Sequence, residues 1–307
     1  MIRYKSFTDN GMVAPTNKVA GDQFYVNNTT GSDSNPGTKK QPFKTGDYAV
    51  GRCTANHGDT IYLMPGHSEA LTASNTLALD VSGISIIGMG TGSSMPLFTL
   101  GGVSTDDINI DADNLYIQNV RFRTSVNAHN VMLDVNYGDI TAEDCIFEST
   151  ATGTGCVNFI NLATTYDNFT FRHCKFYNPT DPAGTDGGAN TGAFYFVDSE
   201  NILVDDCEFY GYFETALLHN KTTAAKNVWT RNCHGSQMLS GAEVFTQVAN
   251  MSGGDSGSTF IVEGATDATE ALTWGILSTK FFISLTSGVG NDGAGGQLAI
   301  AATSAAT

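Results

Sequence analysis

Basic residues are scarce in this chain. Fifteen Lys and Arg stand against 31 Asp and Glu, which leaves a net charge of −16 at pH 7. That balance argues against a nucleic-acid partner and against an anionic membrane surface, because both reward clustered positive charge. It also counts against a polyanionic glycan, unless basic residues are gathered locally. No apolar run is long enough to span a bilayer, so membrane insertion is not expected. The first residues, MIRYKSFTDN, lack the apolar core of a secretory signal. The expectation is synthesis in a host cytoplasm without export by the standard route.

No pair of the six cysteines is spaced C-x-x-C, so a zinc site is not expected. A disulfide framework is not expected either. Cys145, Cys174, Cys207 and Cys233 fall at one position of a repeat, on its inward side, where Cys acts as a small hydrophobe. Cys53 and Cys156 have no evident partners. Reduced thiols fit folding in a cytosol.

That repeat is the strongest signal in the chain. The stretch 140–147, ITAEDCIF, has counterparts at 115–122 (LYIQNVRF), 169–176 (FTFRHCKF), 202–209 (ILVDDCEF) and 228–235 (VWTRNCHG). Aligned on Val120, Cys145, Cys174, Cys207 and Cys233, the steps are 25, 29, 33 and 26 residues. A repeat of this size points to a solenoid, in which each unit buries its apolar face by stacking on the next. Read on a two-residue period, Ile202 and Val204 point in, whereas Leu203 and Asp205 point out. Asp206 breaks the alternation, and Cys207 and Phe209 resume the inward side. A polar residue able to adopt αL suits such a corner. Its equivalents are Asn119, Asp144, His173 and Asn232. A second polar column, Asn114, Asp139, Asn168, Asn201 and Asn227, precedes each unit. A further apolar strand precedes each corner, at 131–135, 157–162, 193–197, 216–218 and 244–248. Each coil therefore has about three short strands.

This pattern, over residues 21–263, resembles the right-handed parallel β-helix of the pectate-lyase-like superfamily. The resemblance implies an all-β fold: a solenoid with an N-terminal capping segment and a small C-terminal β region. Residues 1–20 read as an N-terminal arm. Residues 21–57 hold an opening strand, a loop and a cap. Residues 58–250 form the β-helix, and 251–307 a C-terminal cap or oligomerisation region. The stretch 24–45, FYVNNTTGSDSNPGTKKQPFKT, resembles the opening segment of many phage and bacterial β-helix proteins. Asp33 and Asn35 there suggest Asx-turns rather than calcium. A short helix over 45–56 is expected to cover the open end of the core. The interruption 178–192 is read as a bulging loop, and Asp181 and Asp186 within it match no calcium-loop template.

Two outward columns carry charge: Gln118, Glu143, Arg172, Asp205 and Arg231, then Arg121, Ile146, Lys175, Glu208 and His234. Strands about 4.8 Å apart place opposite charges side by side from Glu143 onward. The expected role is lateral ion pairing that helps to fix register. Pectate-type lyases, as the resemblance describes them, use an acidic calcium cluster and a basic residue, and no separate Asp cluster stands beside a free Arg or Lys here. Polygalacturonase-like hydrolases carry an NTD…DD…GHG…RIK series. Asp205 and Asp206 are present, but GHG and RIK are not. A glycosidase would draw on Glu200, Asp205, Glu208 and Glu214, with Tyr177, Tyr210, Tyr212 and Trp229 as a sugar-stacking strip. No catalytic, cofactor or metal residues are assigned at this stage.

The function expected from these readings is a non-enzymatic protein on a bacteriophage virion surface: a capsid decoration (cement) protein, head fibre or short spike. Its partners would be itself, as a homotrimer, other virion proteins, and host surface polysaccharide. The alternatives are a polysaccharide-depolymerising tailspike or lyase, and a carbohydrate-binding adhesin.

Overall fold

Alternating apolar residues, interrupted every few positions by a residue that tolerates αL, drive the chain into flat-sided coils. In a computed structural model, the described residues are 21–126, 129–150, 155–162, 166–179, 192–196, 199–211, 218–220, 226–231, 233–237, 249–250, 260–263 and 281–284. They form a parallel β-helix with three sheets, the first of ten strands and the second and third of seven each. Successive coils deliver one strand to each sheet in turn. Tyr116–Gln118, Arg121–Thr124 and His129–Val135 make one coil, and Ile140–Glu143, Ile146–Ser149 and Cys156–Leu162 make the next. Every pairing between these strands is parallel.

The corners follow the sequence closely. Asn119, Asp144, His173 and Asp206, between the first and second sheets, have φ of 57°, 55°, 53° and 52°. Asn114, Asp139, Asn168 and Asn201, between the third and first sheets, have φ of 61°, 56°, 70° and 58°. Each corner N–H between the first two sheets reaches the coil above, as in Asn119 N–H to Glu143 O at 3.0 Å and His173 N–H to Asp205 O at 2.9 Å. Asn168 Nδ2 donates to Asp139 Oδ1 at 3.1 Å, so the second column is bonded between these two coils as well. At the first corner the Asn119 side chain donates to Gly88 O and Gly90 O, at 2.7 and 2.9 Å. A Cβ on residue 88 would lie 1.9 Å from Asn119 O, so only glycine allows this close approach. Asn232 lies outside the described residues.

The core is a set of columns. Phe98, Phe122, Phe147, Phe176 and Phe209 stack along the second sheet, with ring centroids 6.1, 5.2, 4.9 and 5.0 Å apart. Val120, Cys145, Cys174 and Cys207 form the neighbouring column and are fully buried. All six cysteines are free thiols. Burial is the dominant stabilising effect, at roughly 25 cal/mol for each Å² of apolar surface removed from water.

At the N-terminal end, the helix Gly46–Val50 covers the core with Ala49 and Val50, and Thr45 caps it by accepting from Tyr48 N–H. It is shorter than the 45–56 expected, ending at Gly51. The strand Ser68–Leu71 was not foreseen, because Glu69 occupies an inward position. Glu69 is buried and accepts from Gly46 N–H at 2.8 Å, with His67 Nε2 3.3 Å away. A carboxylate thereby serves the cap where the pattern calls for an apolar side chain. Asp33 accepts from Lys44 N–H and Thr45 N–H, and Asn35 donates to Pro42 O, so these two residues hold the loop by bonds across it rather than by the Asx-turns expected; the local Asx-turn belongs to Asn27, which accepts from Thr29 N–H and Thr30 N–H. The strands Phe260–Glu263 and Phe281–Ser284 extend the first sheet in parallel. The 180–191 part of the long loop lies outside the described residues. Among the described residues, no helix is long and apolar enough to cross a membrane.

Candidate functional site

The outward columns of the first two sheets are in the expected register. Gln118, Glu143, Arg172, Asp205 and Arg231 are laterally paired in that order, and so are Arg121, Ile146, Lys175, Glu208 and His234. The charges there are mutually engaged. Arg231 holds Asp205 with two bonds of 2.8 and 2.5 Å, and Arg172 approaches the same carboxylate to 3.5 Å. Those hydrogen bonds hold the Asp205 carboxyl below the usual carboxylate range, against the effect of burial. Lys175 pairs with Glu208 at 2.7 Å, and Arg123 with Glu148 at 2.6 Å. Tyr116 donates to Glu143 at 2.7 Å. His173 lies 3.5–3.8 Å from carboxylate oxygens of Asp144, Asp206 and Glu143.

The glycosidase candidates are not brought together. Asp205 faces outward from the first sheet and Glu208 from the second, each engaged by a base, while Glu200 begins the strand Glu200–Asp205. Glu214 and Tyr212 lie outside the described residues, with Asp181 and Asp186. Nor do the aromatics form one strip. Tyr177 and Tyr210 are on the second sheet, Trp229 on the first. The two tyrosine rings stack 5.2 Å apart at 9°, so they cover each other's faces rather than offering both to a sugar.

The third sheet behaves differently. Its outward column runs Asn109, Asp134, Asn161 and Tyr195 in lateral register, between buried pairs such as Leu133/Val135 and Ile160/Leu162. Asn161 Nδ2 donates to Asp134 Oδ1 at 2.6 Å. Beside it, Asn136 Nδ2 donates to Asp111 Oδ1 at 2.9 Å. None of the seven strands of this sheet contains Lys or Arg. Burial pushes the Asp134 carboxyl above its ordinary range, and Asp111 adds to the effect. Asp107, one coil below Asp134, is likewise raised by burial, with Asp134, Asp106 and Asp111 contributing. Two half-buried carboxyls on adjacent coils, both pushed upward, are the candidate acid groups of this face.

Sequence reading missed Asp107, Asp111, Asp134, Asn136 and Asn161. The available signal was the polar residue set between two apolar ones in I-N-I-D, L-D-V-N and I-N-L, at 108–111, 133–136 and 160–162. The chain segments between the second sheet and this one vary most in length, from 125–128 to 179–191.

A separate group, Asp22, His57 and Asp59, has ligand atoms within 4.8 Å of one another. It does not fit a metal. Both oxygens of buried Asp59 are taken, by Asp22 N–H, Thr54 N–H and His57 Nδ1 at 2.6–2.7 Å. Burial works against its charge, but these donors win and keep its carboxyl below the ordinary range. The group ties the opening strand to the first coil.

No family profile and no curated protein matches the chain. Among solved structures, it is similar to a rhamnogalacturonan lyase at a TM-score of 0.52 and 17% identity, over 80% of this chain and 68% of that one. It is similar to the pectate lyase Pel9A at a TM-score of 0.52 and 13% identity, over 88% of this chain and 78% of that one. At these identities the likeness is one of architecture. The chain thus has the pectate-lyase-like parallel β-helix fold that both of those lyases share.

Proposed function

We propose that this protein binds and cleaves an extended polysaccharide laid across the coils on the outer face of the third sheet. The observation that carries the reading is the aligned column Asn109, Asp134, Asn161 and Tyr195, with Asp107 and Asp111 beside it. Amides and carboxyls repeated once per coil suit a ligand that itself repeats hydroxyl groups along its length. Tyr195 adds an aromatic body with a polar tip. The fold supports the same class of ligand, since the two similar structures are a rhamnogalacturonan lyase and a pectate lyase.

Asp134 is the general-acid candidate, because its raised carboxyl stays protonated where an ordinary aspartate has ionised. Asp107 is the second carboxyl, serving as base or nucleophile. With no Lys or Arg in this sheet, the geometry favours acid–base hydrolysis over proton abstraction by a basic side chain. This reading takes the place of the non-enzymatic one expected from the sequence, to which the comparisons add nothing. The virion surface and the homotrimer are proposals on the footing of the sequence alone. A virion-borne depolymerase would accommodate both.

The test is incubation of the purified protein with neutral, amino-bearing and uronate polysaccharides, reading new reducing ends and unsaturated products separately. Reducing ends without unsaturation, lost in Asp134→Asn, are expected. Unsaturated products would replace hydrolysis by elimination, and no cleavage of any polymer would reject the enzymatic reading.

A further inference from the structure

The cysteine column has a property beyond packing. The laterally paired residues on either side of it, Glu143 with Arg172 and Ile146 with Lys175, place Cys145 directly beneath Cys174. The same argument places Cys174 beneath Cys207 and Cys207 beneath Cys233. Each sulfur repeats one pose. Cys174 Sγ lies 3.5 Å from Ala142 O of the coil below, Cys207 Sγ 3.6 Å from Phe171 O, and Cys233 Sγ 3.5 Å from Val204 O. Adjacent coils are about 4.8 Å apart, within the roughly 4.4–6.8 Å Cα separation that a disulfide spans. Val120 ends the column below. Cys145, Cys174 and Cys207 are buried, whereas Cys233 is partly exposed.

We infer that this column is an oxidation site, closed by a low-molecular-weight disulfide into two rungs, Cys145–Cys174 and Cys207–Cys233, with Cys233 as the point of access. The thiolate of Cys233 attacks the small disulfide, forming a mixed disulfide and releasing one small thiolate. Cys207 then attacks the Cys233 sulfur. The protein S–S bond forms, and the second small thiolate leaves. The two protons from Cys233 and Cys207 end on the two small thiols. Stacked sulfurs pass the bond inward by the same exchange: Cys174 attacks Cys207 and frees Cys233, then Cys145 attacks Cys174 and frees Cys207. A second small disulfide closes Cys207–Cys233 again. In all, four protein thiols and two small disulfides become two protein disulfides and four small thiols.

The experiment is to hold the folded, reduced protein with oxidised glutathione, block remaining thiols with an alkylating agent, and map crosslinked peptides by mass spectrometry. The two rungs are expected, with Cys53 and Cys156 alkylated. In Cys233→Ser, rung formation is expected to slow by about tenfold or more, because the remaining column thiols are buried. A Cys53→Ser/Cys156→Ser variant is expected to form both rungs at the unmodified rate, which separates the column from general loosening of the fold. Six alkylated thiols in the oxidised protein, crosslinks to Cys53 or Cys156, or an unchanged rate in Cys233→Ser would each overturn the inference.

Discussion

The outer faces of the first two sheets and the outer face of the third treat charge in opposite ways. On the former, Asp205, Glu208 and Glu148 each meet an Arg or Lys from a neighbouring coil. On the latter, Asp134 meets an amide, and Asp107, hydrogen-bonded to Ser74, is held up by burial and by the charges of Asp134, Asp106 and Asp111. Both faces use the same lateral register, so the difference lies in side-chain choice rather than backbone. Paired charges lower a carboxyl's proton affinity and reinforce the coil. Carboxyls without a cation keep their protons longer and are costly to ionise, which is the property the proposed acid chemistry would use.

The sharpest way to break this comparison is to neutralise one aspartate on each face. Asp134→Asn is expected to reduce polysaccharide cleavage by about 10²-fold or more, with the melting temperature unchanged or higher. Asp205→Asn is expected to leave cleavage intact and lower the melting temperature. Equal losses of activity in both variants would remove the distinction between the faces.

The pH dependence should separate the faces as well. The Asp205 carboxyl is held low, so its contribution to stability is present above the ordinary carboxylate range, about pH 4, and is lost as the pH falls through the lowered value. Asp134 is shifted upward. Its favourable contribution is present below the ordinary range and is lost as the pH rises through the raised value, and cleavage that needs its proton should decline over the same window. Melting curves and rate profiles across acid pH would show whether the two limbs are distinct.

Asn119→Ala should cost about 1–2 kcal/mol in denaturant unfolding, since alanine is strained at φ 57° and loses both bonds to the neighbouring coil. Asn119→Gly should cost less. The smallest effect is expected for Lys175→Met, at most about 1 kcal/mol and fading with added salt, because the Lys175–Glu208 pair is exposed. A large, salt-independent loss there would mean that the charged columns do more than fix register.

The coil corners were legible in the sequence because few residues accept αL. Asn119, Asp144 and Asp206 announce such a backbone, and even His173 was placed by the spacing around it. The charged columns were legible because two-residue corners keep the first and second sheets in step. The third sheet was harder to read. The segments leading into it differ in length from coil to coil, which hides the alignment of Asp134 with Asn161 and Asn109. Its outward residues also sit singly between large apolar neighbours, where a lone Asp reads as the polar half of an ordinary alternation. The strand Ser68–Leu71 escaped for a different reason, since a hydrogen bond from Gly46 N–H and the proximity of the His67 ring make an inward glutamate tolerable.

The phenylalanine column has one more consequence. Phe122, Phe147 and Phe176 each rest on an identical ring above and below, so along this column the inner coils present the same ring at the top as at the base. Duplicating or excising one whole coil would rejoin matching faces, as with courses of brickwork. The fold can therefore change length, and with it the number of places along the third sheet, without redesigning its interior.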